Sequence, residues 1–479
     1  MIKTSSILIA PTLVCLVARG NSPIKTNNIP QVDIPTASII VDFSVNNGTG
    51  FANVFGVGCN GTTVADLALM KNDLGIPVIR LDQPLGWNAT VPETTITNYK
   101  NNIGDVANPA NWHWNTTIND AHHAGIKVLL DIGYFPPWLT YTGRENGMPK
   151  DLSVYQDICM KVYQHYKGII DYVELGNELN GVNARNNWSE TPGPLCDAGS
   201  PYSTFDAAFN AVYKAFADGI RSVDPNIPLG GPALGDAAFS DGTGASHLAA
   251  LLENNFNNVN FFSFHVYGRQ TATSDDHFGV YQNTAVKKGK SSSFMTFMDE
   301  WGVGGDPVPA EDREGIEALP YVGLCLTKFY MENAAGANIY RFDRAQFPSD
   351  KNYHSLNQDG SPTYKCRTWR LLARQLGLSA GDGSVKGASY SGVPIAGAAV
   401  NSTGVRVAWL ITRTAINAKV TFKGLPDGSY SAQVYEASGS NDATSVRQTI
   451  NFQVNGERGD IRISAPANSV VGIEDIRGM

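Results

Sequence analysis

Between about residues 50 and 345 the chain alternates short apolar runs with longer segments in which apolar residues return every three or four positions. The runs are centred on Val54-Phe55-Gly56-Val57, Pro77-Val78-Ile79-Arg80, Lys127-Val128-Leu129-Leu130, Tyr172-Val173-Glu174-Leu175, Pro228-Leu229-Gly230, Phe261-Phe262-Ser263-Phe264, Phe294-Met295-Thr296-Phe297 and Asn338-Ile339-Tyr340. Eight β-rich runs with helices between them predict an α/β fold, a (β/α)8 TIM barrel closed by a parallel sheet. The helical stripe is clearest in Phe205, Phe209, Val212, Phe216 and Ile220, which Asp224-Pro225 ends; Leu152 to Tyr166 and Leu319 to Tyr330 repeat it. After Gly377 the pattern shifts to period two, as in Val405 to Leu410 and Ala418 to Phe422, which predicts a small C-terminal antiparallel β-sandwich. Ala37 to Val45 is strand-like too but precedes the barrel, so it is expected to pair with that sheet.

A length of 479 residues accommodates one barrel of about 250 residues or more and a companion domain. The expected division is a signal peptide over 1–20, an N-terminal segment over 21–48, the barrel over 49–376 and the β domain over 377–479. Lys3, the apolar stretch Ile7 to Val17 and the small residues Ala18 and Gly20 have the order of a secretory signal. That stretch is shorter than the roughly 20 residues a spanning helix requires, so the mature protein is expected to be soluble and extracellular. Asn-x-Ser/Thr acceptors at Asn47, Asn60, Asn88, Asn115, Asn187 and Asn401 fit the same route and are expected to carry N-glycans. Without Cys15, the remaining Cys59, Cys159, Cys196, Cys325 and Cys366 are odd in number, which leaves at least one thiol unpaired in the monomer. Cys159 and Cys325 sit in helical apolar patterns and read as small buried hydrophobes.

The formal net charge is −8 and no Lys/Arg run offers a basic footprint, which argues against a nucleic-acid partner. No Cys-x-x-Cys or His-Glu-x-x-His pattern occurs, so neither a dedicated metal site nor a cofactor is expected. Gly56 to Gly61 matches a Gly-x-Gly-x-x-Gly string, but it overlaps a glycosylation acceptor and no helix clearly opens there.

A barrel of this type builds its site from the C-terminal ends of the strands. The fourth run ends in Gly176-Asn177-Glu178 and the seventh in Asp299-Glu300-Trp301-Gly302, so two Glu side chains are expected to face one another across the mouth. Glycoside hydrolysis uses such a pair: one carboxyl protonates the leaving oxygen while the other attacks the anomeric carbon, with about 5 to 5.5 Å between them when configuration is retained. Asn177 offers an amide to a sugar 2-hydroxyl, and the aromatic residue after Glu300 offers apolar cover that raises a carboxyl pKa.

These motifs resemble those of the clan A glycoside hydrolases over most of the chain, and within the clan they are most similar to family 39, the β-xylosidases and α-L-iduronidases. Arg80, Phe135-Pro136-Pro137-Trp138, Gly230-Gly231-Pro232 and His265-Val266-Tyr267 carry the likeness further. Family 39 usually has Trp-Asn-Glu-Pro-Asn where this chain has Gly176-Asn177-Glu178-Leu179-Asn180, a form closer to the family 79 β-glucuronidases and heparanase. The resemblance implies a retaining glycosidase in which Glu178 is acid/base, Glu300 is nucleophile, and Arg80 and Tyr267 hydrogen-bond Glu300 and favour its ionised form. His265 reads either as a satisfied core histidine or as a contact to a sugar hydroxyl. Trp138 and Trp301 are candidates for stacking on a sugar face, and Arg341 either reads an anionic sugar group or pairs locally with Asp343. The expected substrate is an oligo- or polysaccharide of a cell-wall or plant glycan, with no membrane partner and cleavage from the chain end in a β-xylosidase-like manner. An endo-glycanase, a β-glucuronidase-like enzyme of the clan and a non-catalytic carbohydrate-binding protein are the alternatives.

Overall fold

A computed structural model describes residues 34–58, 64–82, 112, 114–144, 146–180, 200–235, 242–267, 277–302, 315–332, 334–343, 354–391 and 394–478. Pro35 to Met479 form one compact unit. Within it β1 (Thr36–Gly50) is followed by β2 (Gly56–Gly58), β3 (Val78–Asp82), β4 (Lys127–Asp131), β5 (Tyr172–Glu174), β6 (Leu229–Gly230), β7 (Phe261–Tyr267), β8 (Met295–Gly302) and β9 (Gly336–Ile339). Strands β2 to β9 make an eight-stranded sheet in the order β6-β5-β4-β3-β2-β9-β8-β7, and every pairing in it is parallel. Its two ends meet through Asn260 N–H to Leu229 O (2.8 Å) and Ser263 N–H to Gly231 O (3.1 Å), so the sheet closes as the eight runs predict. One run is displaced: Ala52 to Phe55 wind into a 3-10 turn and the first barrel strand starts only at Gly56.

Helices cover the outside of the barrel where the 3.6-residue period places them. Leu152–Tyr166 starts at Asp151, whose carboxylate accepts from the Ser153 and Val154 N–H groups, and buries Tyr155, Cys159, Val162, Tyr163 and Tyr166. Phe205–Arg221 starts at Thr204, whose hydroxyl accepts from Ala207 N–H, and buries the predicted Phe205-to-Ile220 stripe. No helix among the described residues is long and apolar enough to cross a membrane. Cys159, Cys325 and Cys366 are free and buried.

The C-terminal strands are β10 (Gly383–Ser391), β11 (Ile395–Val400), β12 (Arg406–Thr412), β13 (Ile416–Lys423), β14 (Gly428–Ala437), β15 (Gln448–Asn455), β16 (Arg458–Ala465) and β17 (Ser469–Gly478). With β1 they close into a second sheet, ordered β1-β10-β11-β12-β17-β14-β15-β16-β13. β1 lies antiparallel to β10 but parallel to β13, so this sheet departs from the purely antiparallel pattern expected of it. Ala37, Ile39, Val41 and Phe43 of β1 alternate into its core beside Ile416, Val420 and Phe422. The two sheets are joined by a shared core that includes Trp409, Tyr435 and Val470, and Trp409 Nε1 donates to Thr327 Oγ1 at 2.7 Å.

Two glycosylation acceptors have contrasting surroundings. Asn47 is exposed on β1. Asn401 is 6% exposed; its Nδ2 donates to Leu376 O at 3.0 Å and its Oδ1 accepts from Val405 N–H. A glycan on Nδ2 would have to be accommodated within this packing, unlike one on Asn47. Asn115 is half-buried with Oδ1 against His165 Nε2, while Asn60, Asn88 and Asn187 lie outside the described residues, as do Cys59 and Cys196.

Candidate active site

Strand alternation stacks the barrel interior in layers. Leu129, Phe261, Phe297 and Ala335 form a small inner apolar cluster with Tyr172 and Met295 against it, while Val128, Leu130, Val173, Phe262, Phe264 and Met298 belong to the core outside the sheet. Two residues beyond the inner apolar layer come Asp131 on β4, Glu174 on β5 and Ser263 on β7, with His265 and then Tyr267 nearer the mouth. Period two should place Phe297 and Asp299 inside and Glu300 outside. The register slips on β8 against both neighbours: Ser263 pairs with Phe297 but His265 with Glu300, and Met298 pairs with Ala337 but Trp301 with Ile339. This bulge inserts one residue, so the consecutive Asp299 and Glu300 both turn inward and Trp301 resumes the outer face.

Arg80 on β3 is 3% exposed and brings a guanidinium into this interior. Its Nε lies 2.5 Å from Glu174 Oε1 and 3.2 Å from Asp299 Oδ2, and its Nη1 lies 3.0 Å from Asp82 Oδ1 and 3.4 Å from Glu300 Oε2. Its Nη2 donates to Asn177 Oδ1 at 3.2 Å and lies 3.7 Å from Asp131 Oδ2. One guanidinium cannot neutralise so many buried carboxylates. Burial pushes Glu174 up to about 8, against the pull of Arg80, and raises Asp131 well above its usual value.

Glu178, Glu300 and Asp82 are the partly exposed acids of this group, with side chains 15%, 13% and 23% exposed against 0% for Asp131, Glu174 and Asp299. Glu178 has φ 54° and is anchored by its N–H on Ala233 O at 2.9 Å. Gly176 before it has φ +114°, and a Cβ there would stand 2.5 Å from Pro232 O, so the turn that delivers Asn177 and Glu178 excludes any larger residue. A carboxylate oxygen of Glu178, one of Glu300 and a ring nitrogen of His265 lie within 4.8 Å of one another. His265 is fully buried beneath the pair: Nδ1 is 2.9 Å from Glu178 Oε1 and 3.7 Å from Glu300 Oε2, and Nε2 is 3.4 Å from Asp299 Oδ2. Nδ1 is within hydrogen-bond distance of Glu178, while Nε2 makes no hydrogen bond and stands at an ion-pair distance from Asp299. Tyr267 OH donates to Glu300 Oε1.

The balance of charge differs from the expected one. Burial is the largest influence on both glutamates and raises each. For Glu178 the hydrogen bond and charge of His265, with Arg80 behind, outweigh burial and hold the carboxyl below its usual value. Arg80 and Tyr267 do bond Glu300 as expected, and His265 helps, but burial and the Glu178 charge prevail and its carboxyl stays above its usual value. Burial opposes charge on His265, yet Glu300, Asp299 and Glu178 hold it well above its usual value as a cation.

The other predicted residues separate into those at the pair and those beside it. Asn177 joins the site through Arg80 and through Nδ2 to Tyr134 OH at 2.9 Å. Trp301 is fully buried, stacked 6.1 Å from Trp369 and edge-on to Phe329, so it presents no face to a sugar; its outward turn follows from the bulge. Trp138 is half-buried in the turn Pro137–Leu139 after β4. Arg341 Nε lies 3.0 Å from Asp343 Oδ2, the local pair that was one of its two readings. Sequence reasoning missed Tyr134, Asp82, Asp131, Glu174 and Asp299. The four acids share one signal, an acidic residue straight after the apolar part of a barrel strand, as in Leu81-Asp82 and Leu130-Asp131.

A (β/α)8 barrel with two facing carboxylates at its mouth defines a clan A glycoside hydrolase. The chain belongs to the cellulase family, glycosyl hydrolase family 5, whose model matches residues 42–322. The same fold occurs in a glucosidase from Croceicoccus marinus (TM-score 0.66, 14% identity, covering 93% of this chain and 99% of that one). It occurs also in a monomeric β-xylosidase from Caulobacter crescentus (0.61, 16%, 91% and 99%) and in a bifunctional glucanase-xylanase from a metagenome library (0.63, 15%, 93% and 100%). No curated protein matches the chain. The family matched is thus family 5, while the β-xylosidase is similar at the level of the fold.

Proposed function

We propose that the protein is a secreted, retaining β-glycosidase that removes terminal glucosyl or xylosyl residues from a cell-wall or plant glycan. The observation that carries this reading is the proximity of two partly exposed carboxylates, Glu178 and Glu300, with oxygens within 4.8 Å. Inverting enzymes keep their carboxyl groups about 6.5 to 9.5 Å apart to admit a water between them, and retaining enzymes hold them near 5 Å. Glu300, which accepts from Arg80 on one oxygen and from Tyr267 on the other, is the nucleophile once ionised. Glu178 delivers a proton to the leaving oxygen and then takes one from the incoming water. Asn177, held by Arg80 and Tyr134, is placed to bond the 2-hydroxyl. Engagement of Arg341 by Asp343 favours a neutral sugar over a uronic acid.

The test is a panel of aryl glucosides, xylosides, galactosides, arabinosides and glucuronides, with proton NMR of the first-formed anomer. Net retention on a glucoside or xyloside is the expected result; inversion would remove Glu300 from the nucleophile role. The family model, described as a cellulase, favours a second reading, an endo-acting β-glycanase. Sizing the products of a polysaccharide digest separates the two, since monosaccharide alone means exo action.

A further inference from the structure

Among the described residues, His265 is the buried side chain that touches both members of the pair and a third carboxylate behind them. Nδ1 shares a hydrogen bond with Glu178 Oε1, and Nε2, which makes no hydrogen bond, stands 3.4 Å from Asp299 Oδ2, so carboxylates flank the ring on both sides and favour its cationic form. Asp299, whose Oδ2 stands behind Nε2, turns inward beside Glu300 through the bulge on β8. The charged groups that face the ring are Glu178 from the turn after β5 and Asp299 and Glu300 from β8. Behind Asp299 stand Arg80 of β3 and Glu174 of β5, and Tyr267, on the ring's own strand, reaches Glu300.

We propose that His265, kept as imidazolium by Asp299, stores the proton that Glu178 passes to the leaving oxygen, which makes Asp299 and His265 positioning residues for proton transfer. The inference rests on Glu178 being the acid, as proposed above. As the glycosidic bond breaks, the Nδ1–H bond of His265 breaks and its proton forms an O–H bond on the Glu178 carboxylate; that O–H bond breaks in turn as the proton passes to the leaving oxygen, so Glu178 ends the step as a carboxylate. The electron pair stays on Nδ1, leaving a neutral ring with Nε2–H toward Asp299. His265 loses its positive charge as Glu300 loses its negative charge in becoming an ester, so the net charge of the three groups is unchanged. In the second half-reaction Glu178 takes a proton from water and returns it to Nδ1, while the hydroxide completes the sugar. The low resting pKa of Glu178 and the high one of His265 agree with this resting distribution.

The experiment compares pH profiles of kcat/KM on two aryl glycosides of the sugar that the wild type cleaves: a phenyl glycoside, whose departure needs an acid, and a dinitrophenyl glycoside, whose departure does not. On the phenyl substrate Asp299→Asn is expected to move the basic limb down by about one pH unit. It should lower kcat/KM on the phenyl substrate about tenfold more than on the dinitrophenyl substrate, whose own loss reports the contact of Asp299 with Arg80. Equal losses on both substrates with an unmoved basic limb would overturn the relay. Nitrogen NMR of His265 in the wild type tests the same point without a variant: protons on both ring nitrogens at neutral pH are expected, and a single one would overturn it. Glu178→Ala is the control for the underlying reading. If it too slows both substrates alike, Glu178 is not the acid; if it slows the phenyl substrate selectively while Asp299→Asn slows both alike, the relay alone fails.

Discussion

On β16 of the C-terminal sheet, Arg458, Asp460 and Arg462 alternate with buried Gly459, Ile461 and Ile463, and Asp460 meets Lys419 of β13 at 2.9 Å with both partners more than a third exposed. On β3, β4 and β5 the same period-two rule turns Arg80, Asp131 and Glu174 into the closed interior of the barrel, where they are 3% exposed or less. Alternation fixes which residues share a face; what covers the face decides whether its charges meet water or one another. The outer face of β16 leaves its ions solvated and weakly coupled. The inner face of the barrel makes each protonation state depend on its neighbours, and the reacting pair sits on top of that layer.

The sharpest division between the two regions is in activity. Glu300→Ala should lower kcat/KM by about 10⁴-fold or more with the fold retained, and azide should restore turnover as a glycosyl azide of opposite configuration. Absence of rescue in a folded variant would count against a nucleophilic Glu300. Next in size, Arg80→Met should cost about 3 to 5 kcal/mol in chemical denaturation at neutral pH, because it strands several buried carboxylates. The penalty should shrink in acid as they protonate; a loss below about 1 kcal/mol would mean that the layer is no more coupled than a surface pair. Gly176→Ala should cost about 1 to 3 kcal/mol, from a strained φ and a clash with Pro232 O, and should impair turnover through Glu178.

A subtler contrast lies in the pH dependence of stability. With Glu174 raised from 4.5 to about 8, the folded state holds a proton that the unfolded state releases, so this group makes stability fall as pH rises across that window. Glu174→Gln should therefore be relatively more stable, compared with wild type, at pH near 8 than near 4.5; an offset independent of pH would show that Glu174 ionises alike in both states. Smallest of all, Lys419→Ala on the β domain should change stability by no more than about 1 kcal/mol, and less in high salt.

The eight barrel strands were legible because each is a short apolar run, and Glu178 and Glu300 because each follows such a run. The ionic layer carried a similar mark, an acid straight after an apolar run, at Asp82, Asp131, Glu174 and Asp299, but sequence reasoning passed over it. The bulge was not legible: Met298-Asp299-Glu300 has no local mark of an extra residue, and the slip appears only when β8 is aligned with both neighbours. That one unseen residue explains why Trp301 is packed against Trp369 instead of open to a sugar. Burial of Asn401 was equally hidden, because an acceptor triplet says nothing of the carbonyl of Leu376 waiting to receive its amide. For β1 the alternation of Ala37, Ile39, Val41 and Phe43 announced a strand with one apolar face, while its parallel partner β13 depends on which slot remains when the ring closes.

That slot has a consequence for the life history of the polypeptide. Asn46 and Ser384 are hydrogen-bonded across 338 positions, so the second ring is sealed by parts of the molecule made far apart in translation. The early strand emerges long before β10 and β13 exist, and a nascent chain halted after the barrel would carry it as an unpaired, half-apolar edge. The last hundred residues, expressed alone, would meanwhile have a gap between β10 and β13 where a strand from any other copy could lodge.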